Sequence, residues 1–267
     1  VITEAIMRCE VDRQTETELL EGIRSDVESA LADVRVAVED WQSIRVKLNE
    51  IIEELESDPP ELDKDELEEG KAFLEWVDNN HFTFLGYRDY ELRNEKGEDI
   101  LHSIANSGLG LLRNPEGAAV SESFSVLPLE QRREARSSEL LIITKGNFRS
   151  TVHRPSFMDY IGVKRFNKNG KVIGERRFLG LYTSAAYNRN PRSIPLFRTK
   201  VRNIVDRAGF PPNSHAEKTL INVLDTYPRD ELFQVSEDEM YETAVGILHL
   251  QERQRIRLFV HTDRFGR

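Results

Sequence analysis

Apolar residues recur at alternating steps of three and four positions along the first part of the chain. Charged residues lie between them, and residues 17–56 contain no proline and a single glycine, Gly22. This heptad-like pattern predicts one long amphipathic helix, or two helices that break near Asp40. The helix either lies on its own domain or contacts another domain or subunit. The apolar seam consists of Leu20, Ile23, Val27, Ala30, Val34, Ala37, Trp41, Ile44, Leu48, Ile51 and Leu55.

The sequence Ser57-Asp58-Pro59-Pro60 predicts the end of this helix, because proline cannot continue a helix and restricts the residue before it. A second helix is predicted over about 64–78, and Asn79-Asn80 ends it. Its candidates for burial are Leu67, Phe73, Leu74, Trp76 and Val77.

From His81 the pattern changes to the alternation typical of strands. Strands are predicted at 82–93, 140–145, 157–166 and 172–183, and the weakly patterned stretch 95–138 is expected to hold short strands or helical turns. The sequence Asn167-Lys168-Asn169-Gly170 predicts a hairpin, because its turn needs residues that tolerate positive φ. In the first strand, alternation predicts that one face carries Phe82, Phe84, Gly86, Arg88 and Tyr90.

The last part of the chain is predicted to be helical. Pro195 suits the first turn of a helix that ends at Gly209, and two capping boxes begin at Ser214 and Ser236. The last of these helices extends to about Arg253, and residues 255–261 read as a new strand. The predicted fold class is therefore α+β: a central antiparallel sheet of about five strands, flanked by an N-terminal long helical segment and a C-terminal helical segment.

These elements divide the 267 residues into four regions. A helical segment with the heptad-like helix spans 1–79, an antiparallel α+β domain spans 80–190, and a helical linker spans 191–253. Residues 254–267 are expected to be the first strand of a truncated domain. Because the chain begins with Val and stops inside a predicted element, we expect a fragment of a longer protein.

Composition and charge narrow the class of protein. No apolar run approaches the roughly 20 residues of a spanning helix, and no signal peptide is recognisable. The lone Cys9 fits a reducing compartment, so a cytoplasmic location is expected. Residues 1–79 carry a net charge of −16, whereas residues 132–207 carry +13. Two surfaces that attract each other or a neighbouring subunit explain this asymmetry better than nucleic-acid binding, because the whole molecule, at −10, repels nucleic acid.

The sequence offers no catalytic constellation. It contains no Gly-x-Ser-x-Gly, no phosphate-binding Gly-x-x-x-x-Gly-Lys-Ser/Thr and no His-Glu-x-x-His, and Gly108-Leu109-Gly110 has only two glycines of a dinucleotide motif. No pair among the six histidines and Cys9 has a metal-ligand spacing. No catalytic, cofactor-binding or metal-binding residue is therefore predicted in this chain. Basic residues that could hold an anionic ligand or contact another domain are Arg149, His153, Arg154, Lys164, Arg165, Arg176 and Arg177.

Three stretches carry a family resemblance. HFTFLGYRDYEL (81–92), STVHRPSFMDYIGVKRF (150–166) and GERRFLGLYTSAAY (174–187) resemble the N-terminal, non-catalytic region of the large bacterial NAD-specific glutamate dehydrogenases. The resemblance runs at least over 73–210, and residues 1–56 agree only in general character. It implies that the sheet is PAS-like and that the truncated C-terminal strand opens an ACT-like domain.

The resemblance also implies a function. The parent enzyme would convert L-glutamate, water and NAD to 2-oxoglutarate, ammonium and NADH, with its catalytic residues and NAD site outside this chain. This region would serve assembly and regulation, and its partners would be the rest of the parent chain, the other subunits of a homo-oligomer and a small-molecule effector, but neither nucleic acid nor a membrane. The alternative is a small-ligand sensor for an amino acid, a 2-oxo acid or a nucleotide.

Overall fold

The structure is a computed structural model that describes residue 6 and residues 8–95, 98–113, 139–233 and 235–250. These residues form the predicted α+β fold, with an antiparallel sheet between an N-terminal and a C-terminal helical part. The helices are α1 (Thr17–Ser57), α2 (Lys64–Trp76), α3 (Ser184–Tyr187), α4 (Phe197–Ala208), α5 (His215–Asp225), α6 (Arg229–Leu232) and α7 (Glu237–Leu250). The strands are β1 (Phe82–Glu95), β2 (Glu98–Ser103), β3 (Leu109–Gly110), β4 (Leu141–Arg149), β5 (Phe157–Phe166) and β6 (Val172–Tyr182).

Helix α1 is continuous through Asp40, so the two-helix alternative is wrong. Its seam has two different environments. From Ala37 onward the seam is buried against the sheet and α2, with the exception of Trp41. In residues 17–32 no side chain is buried, although the same apolar spacing continues there. The helix therefore lies on its own domain over its C-terminal half only.

The ends of the N-terminal helices lie at or within two residues of the positions that the sequence indicates. Helix α1 stops at Ser57, before the two prolines, and the carboxylate of Asp63 caps α2 by accepting from the amides of Asp65 and Glu66. Helix α2 ends two residues earlier than predicted, and a turn over Val77–His81 follows. Asn80 has a φ of 60° in this turn, which asparagine tolerates better than most residues and which directs the chain into β1.

The sheet has the order β2-β1-β6-β5-β4, with β3 paired to β1, and all its pairings are antiparallel. The first and last strands of the sheet are therefore neighbours at its centre. The β5–β6 hairpin forms as predicted, and Gly170 has a φ of 69° in its turn. The short strands expected within 95–138 correspond to β2 and β3, while residues 114–138 lie outside the described residues.

One sequence expectation for β1 is wrong. The register of β1 against β6 shifts between Phe84 and Gly86, so Leu85 is an extra, bulged residue. Alternation is interrupted there, and Tyr87 joins Phe82 and Phe84 in the main core, while Tyr90 packs in a separate small cluster with Leu101. The five residues predicted for one face are thus divided between two faces, because one inserted residue reverses the alternation.

The C-terminal helices begin with the predicted caps. Ser214 accepts from the amide of Glu217 at 3.1 Å, and Ser236 accepts from the amide of Glu239 at 3.2 Å. Pro195, however, lies before α4 rather than in its first turn, because a short 3₁₀ turn (Pro191–Ser193) and Leu196 with a φ of 68° precede the helix. The predicted strand at 255–261 lies outside the described residues.

A single core joins both helical parts to one face of the sheet. It contains Ile44, Leu48 and Ile51 of α1 and Phe73 and Leu74 of α2, together with sheet residues such as Ile161 and Phe178. The C-terminal helices contribute Ile204, Leu220, Leu224, Leu232 and Met240 to the same core. Tyr182 at the end of β6 stacks on Phe233 with ring centroids 4.1 Å apart. The helices of residues 197–250 therefore fold onto the sheet rather than beside it.

A buried carboxylate fastens α1 to the edge of the sheet. Asp40 accepts from the Gly110 amide at 2.7 Å and from the Arg113 guanidinium at 2.9 and 2.6 Å. Burial alone would raise the pKa of Asp40, but these hydrogen bonds outweigh it and lower the pKa below its usual value. Gly110, with a φ of 57°, is needed at this place because a β-carbon would lie 2.2 Å from the Leu85 carbonyl oxygen.

A second charged cluster links the sheet to the C-terminal helices. The Lys145 ammonium group on β4 donates to Asp159 on β5 at 2.6 Å and forms an ion pair with Asp230 on α6 at 2.9 Å. The Lys145 and Asp159 side chains are only 14% and 4% exposed. Burial raises the pKa of Asp159 despite its contact with Lys145, whereas the carboxylates raise the pKa of Lys145 against the opposite effect of burial. Removing Lys145 would leave the buried Asp159 carboxylate without a cation, whereas Lys145 would keep Asp230 if Asp159 were removed.

Replacement of Asp40 by alanine is expected to lower the free energy of unfolding by about 2–3 kcal/mol, since it removes charge-assisted hydrogen bonds to Gly110 and Arg113. Because the folded-state pKa of Asp40 is lowered, its contribution is complete above about pH 4 and is lost as the pH falls through the folded-state value. Urea denaturation between pH 3 and pH 7 measures both effects. Asp26→Ala, at an exposed position of the same helix, is the control, and an equal loss in both variants would contradict the role of Asp40.

Replacement of Lys145 by methionine is expected to lower the free energy of unfolding by about 3 kcal/mol at pH 7, because the Asp159 carboxylate would remain buried without its cation. A carboxylate with a raised pKa destabilises the fold as the pH rises through that pKa, so the loss should be largest at neutral pH and smaller in acid. Denaturation curves at several pH values test this expectation. Lys171→Met, at an exposed turn position, should change stability little, and a pH-independent loss in Lys145→Met would refute the explanation.

Candidate functional site

The seven basic residues singled out in the sequence do not form one site. The strand pairing divides them into three groups on different parts of the molecule. Arg149, His153 and Arg154 lie at the end of the sheet where β4 leads into β5, Lys164 and Arg177 lie on one face, and Arg165 and Arg176 lie on the other. Neighbours in sequence are separated because successive side chains of a strand point to opposite faces.

The first group is only partly available to a partner. Arg149 is exposed and lies over the Phe157 ring, with 5.1 Å between the guanidinium carbon and the ring centroid. His153 is exposed in a tight turn with a φ of 69°. Arg154 is half-buried and donates to the Tyr182 carbonyl oxygen at 2.8 Å, so it serves the fold.

The second group is buried. The Arg177 guanidinium lies between the rings of Tyr90 and Tyr160, 4.2 and 4.6 Å from their centroids, and donates to Glu175 at 3.1 Å. The Tyr160 hydroxyl donates to the same carboxylate, and burial raises the pKa of Tyr160 well above its usual value. Lys164 is also buried on this face. These contacts make Arg177 part of a packed polar interior.

The third group borders an open cleft between α1 and the sheet. We call it the α1 cleft; its volume is about 290 Å³, and it is lined by Lys47, Glu50, Ile51, Glu54, Tyr87, Asp89, Ile104, Arg165 and Arg176. Residues 47, 50, 51 and 54 have the spacing of one helix face and form one wall, while β1, β5 and β6 form the floor. Sequence reasoning identified only the two arginines, because the carboxylates come from elements that meet them through tertiary packing.

The charges of the α1 cleft are partly paired. Arg176 donates to Glu54 at 2.5 Å, and Lys47 donates to Glu50 at 2.7 Å. The Tyr87 hydroxyl donates to Asp89 at 2.6 Å, and burial together with this bond raises the pKa of Tyr87. Within the described part of the chain, Arg165 forms no salt bridge, and Asp89 has no basic side chain within ion-pair distance. Among the described residues, the cleft thus contains one cation, Arg165, and one anion, Asp89, that form no ion pair.

The two glycines of Gly108-Leu109-Gly110 do not fit a dinucleotide. A β-carbon at Gly108 would lie 2.0 Å from the Leu112 carbonyl oxygen, so the space at this glycine is filled by the chain itself. The turn also belongs to an antiparallel sheet, not to a strand–turn–helix unit that directs amides at a pyrophosphate. Among the described residues no group of three or more potential ligands could hold a metal ion, and no helix is long and apolar enough to cross a membrane.

The projecting part of α1 is the other prominent surface. Along residues 17–41, large apolar side chains are 39–63% exposed, namely Leu19, Leu20, Val27, Leu31, Val34, Val38 and Trp41. Among the described residues, Asp33 is the most N-terminal residue of α1 that is hydrogen-bonded to the sheet region. Its carboxylate accepts from the Thr151 hydroxyl at 2.6 Å. The 16 residues 17–32 therefore form a helical segment without a fully buried side chain, in which Ile23 and Ala30 are half-buried and the other residues are exposed.

Comparisons with known proteins agree with this architecture. Residues 194–253, which include α4 to α7, match the family described as "Glutamate dehydrogenase, helical motif 1". Over 99% of its length the chain is 38% identical to the NAD-specific glutamate dehydrogenase of Halomonas elongata, and over its full length 35% identical to that of Pseudomonas aeruginosa. The Mycobacterium tuberculosis protein of the same name is 27% identical over 88% of the chain.

The chain spans only 16% of the length of the Halomonas and Pseudomonas relatives and 13% of the mycobacterial one. The similarity nevertheless covers the helical N-terminal part, the sheet and the helical C-terminal part. The chain therefore matches the N-terminal region of the large NAD-specific glutamate dehydrogenases.

Proposed function

We propose that this chain is a non-catalytic assembly and regulatory module of a large glutamate dehydrogenase. The reaction of the whole protein would be the conversion of L-glutamate, NAD and water to 2-oxoglutarate, ammonium and NADH, and NAD would bind outside the described residues. The names of the relatives and the helical-motif match support the parent activity. The antiparallel sheet, with its first and last strands adjacent, supports a PAS-like unit.

The observation that carries the assembly role is the exposed seam of the projecting segment, residues 17–32. An isolated helix of about 12–15 residues is only marginally stable in water, so a helix of this length is stabilised mainly by packing of its apolar face. Leu20 and Val27 are 46% and 53% exposed at seam positions, and Leu31 beside the seam is 49% exposed. A partner helix would remove these side chains from water.

We assign this partner as the same segment of a second copy, aligned in parallel. Leu20 and Val27 are at position a of the heptad. The positions that flank the seam are then g, with Leu19 and Asp26, and e, with Arg24 and Leu31. In a parallel pair Leu19 faces Arg24 of the other helix and Asp26 faces Leu31, without like charges in contact. An antiparallel pair centred on the segment would bring the two Asp26 carboxylates together.

The chain is expected to self-associate through this seam. Sedimentation equilibrium at about 100 µM, where a pair of micromolar affinity is populated, should give a dimer that dissociates on dilution. Leu20→Glu and Val27→Glu should each produce a monomer with an unchanged melting temperature, since neither residue packs on the domain. Ser25→Glu and Ser29→Glu, on the outer face of the same helix, should leave the dimer intact.

A monomer at every concentration, or a dimer insensitive to the two seam substitutions, would contradict this assembly mode. The orientation has its own test in a Cys9→Ser background, since Cys9 is the only cysteine. Leu20→Cys should form an intermolecular disulfide rapidly, because equivalent seam residues meet in a parallel pair. In an antiparallel pair the two cysteines would lie at opposite ends.

The non-catalytic part of the proposal is tested directly. The purified chain, incubated with L-glutamate and NAD, should produce no NADH. Any production that follows the protein through purification would overturn this part of the proposal. A ligand-sensing role is the second candidate function, and the charges of the α1 cleft favour it.

A further inference from the structure

The α1 cleft has features that the assembly role does not use. Arg165 is half-buried, yet no carboxylate among the described residues lies within ion-pair distance of its guanidinium. Asp89 is also half-buried, and its hydrogen bond at the cleft comes from the neutral Tyr87 hydroxyl. Leaving charges partly desolvated without a counter-charge is unfavourable, so two such groups in one cleft indicate a place for a ligand.

The sheet register explains why these two charges do not pair with each other. Asp89 of β1 is opposite Arg176 of β6, whereas Arg165 of β5 is opposite Gly174 of β6. Arg165 and Asp89 thus lie two strands apart and two residues out of register, which places their backbones about 12 Å from each other. No side chain of β6 stands opposite Arg165, and the space at Gly174 is filled by the backbone of β1, since a β-carbon there would lie 2.3 Å from the Tyr90 carbonyl oxygen. The α1 cleft is lined by groups of both signs rather than by apolar side chains alone.

The neighbouring charges already have partners. Glu54 is bound to Arg176, and Glu50 is bound to Lys47. A simple anion would pair with Arg165 but would leave Asp89 without a counter-charge. It would also be repelled by the carboxylates of Glu50 and Glu54 on α1. A ligand with a carboxylate at one end and an ammonium group nearby satisfies Arg165 and Asp89 together. The volume of about 290 Å³ accommodates a small metabolite and not a dinucleotide.

We propose that the α1 cleft binds a free α-amino acid, with the ligand carboxylate on Arg165 and the ligand ammonium group on Asp89. Tyr87 orients Asp89 through its hydroxyl, and Glu50 and Glu54 on α1 add to the negative potential around the ammonium group. The ligand would contact both α1 and the sheet. It would therefore stabilise the docking of α1, the helix whose other end carries the exposed seam.

The experiment is calorimetric titration of the 267-residue chain with each of the standard L-α-amino acids. At least one of them is expected to bind. For that amino acid, the N-acetyl derivative loses the ammonium group and the C-terminal amide loses the carboxylate, and each should bind at least tenfold more weakly. If no amino acid binds, or if either derivative binds as well as the parent amino acid, the proposal is wrong.

Variants assign the binding to this cleft. Arg165→Met and Asp89→Asn should each weaken binding at least tenfold, and the exposed Lys168→Met in the β5–β6 turn should not. Thermal melts of all three variants without ligand establish that they remain folded. Binding that is unchanged in folded Arg165→Met or Asp89→Asn would place the ligand elsewhere and overturn the proposal. This result is independent of self-association, because Leu20→Glu should bind the amino acid as well as the wild-type chain does.

Discussion

Burial of one face of the sheet under helices from both ends of the chain is the constraint on which the structure depends. Neither helical part could bury its apolar residues alone, and the sheet strands present Phe82, Phe84 and Phe178 toward them. Because α1, α2 and the C-terminal helices share this core, these segments stabilise one another. The match of residues 194–253 to a helical family thus describes a part of a larger folding unit in this chain.

Buried charged groups connect the helices to the sheet at the edges of this core. Asp40 joins α1 to the edge strand β3, and Lys145 joins two strands to α6. In both cases a carboxylate is buried and then compensated by a cation and by backbone amides, as expected for charges that leave water. The asymmetry between the acidic N-terminal segment and the basic middle of the chain has a physical counterpart in pairs such as Glu54–Arg176 and Glu69–Arg198. Part of this charge asymmetry thus corresponds to ion pairs within the chain.

The division of α1 connects the proposed roles. Its C-terminal half forms a wall of the core and of the α1 cleft, whereas its N-terminal half extends away with its seam exposed. A continuous helix is stiff, so a change in how its C-terminal half docks would move its N-terminal half as a lever. An amino acid in the α1 cleft and a second copy at the seam would therefore act on the same element, which is the physical requirement for coupling two sites.

The sequence by itself determined the long elements and several of their limits. Heptad spacing predicted α1, proline and capping serines fixed helix ends, and the Asn-Gly turn fixed the β5–β6 hairpin, because these signals depend on local geometry. Only the tertiary structure decided that Leu85 is bulged and that Tyr87 and Asp89 therefore line the same cleft as Arg165. It also decided where along α1 the seam leaves the domain. Register and docking depend on contacts between residues far apart in sequence, which no local pattern contains.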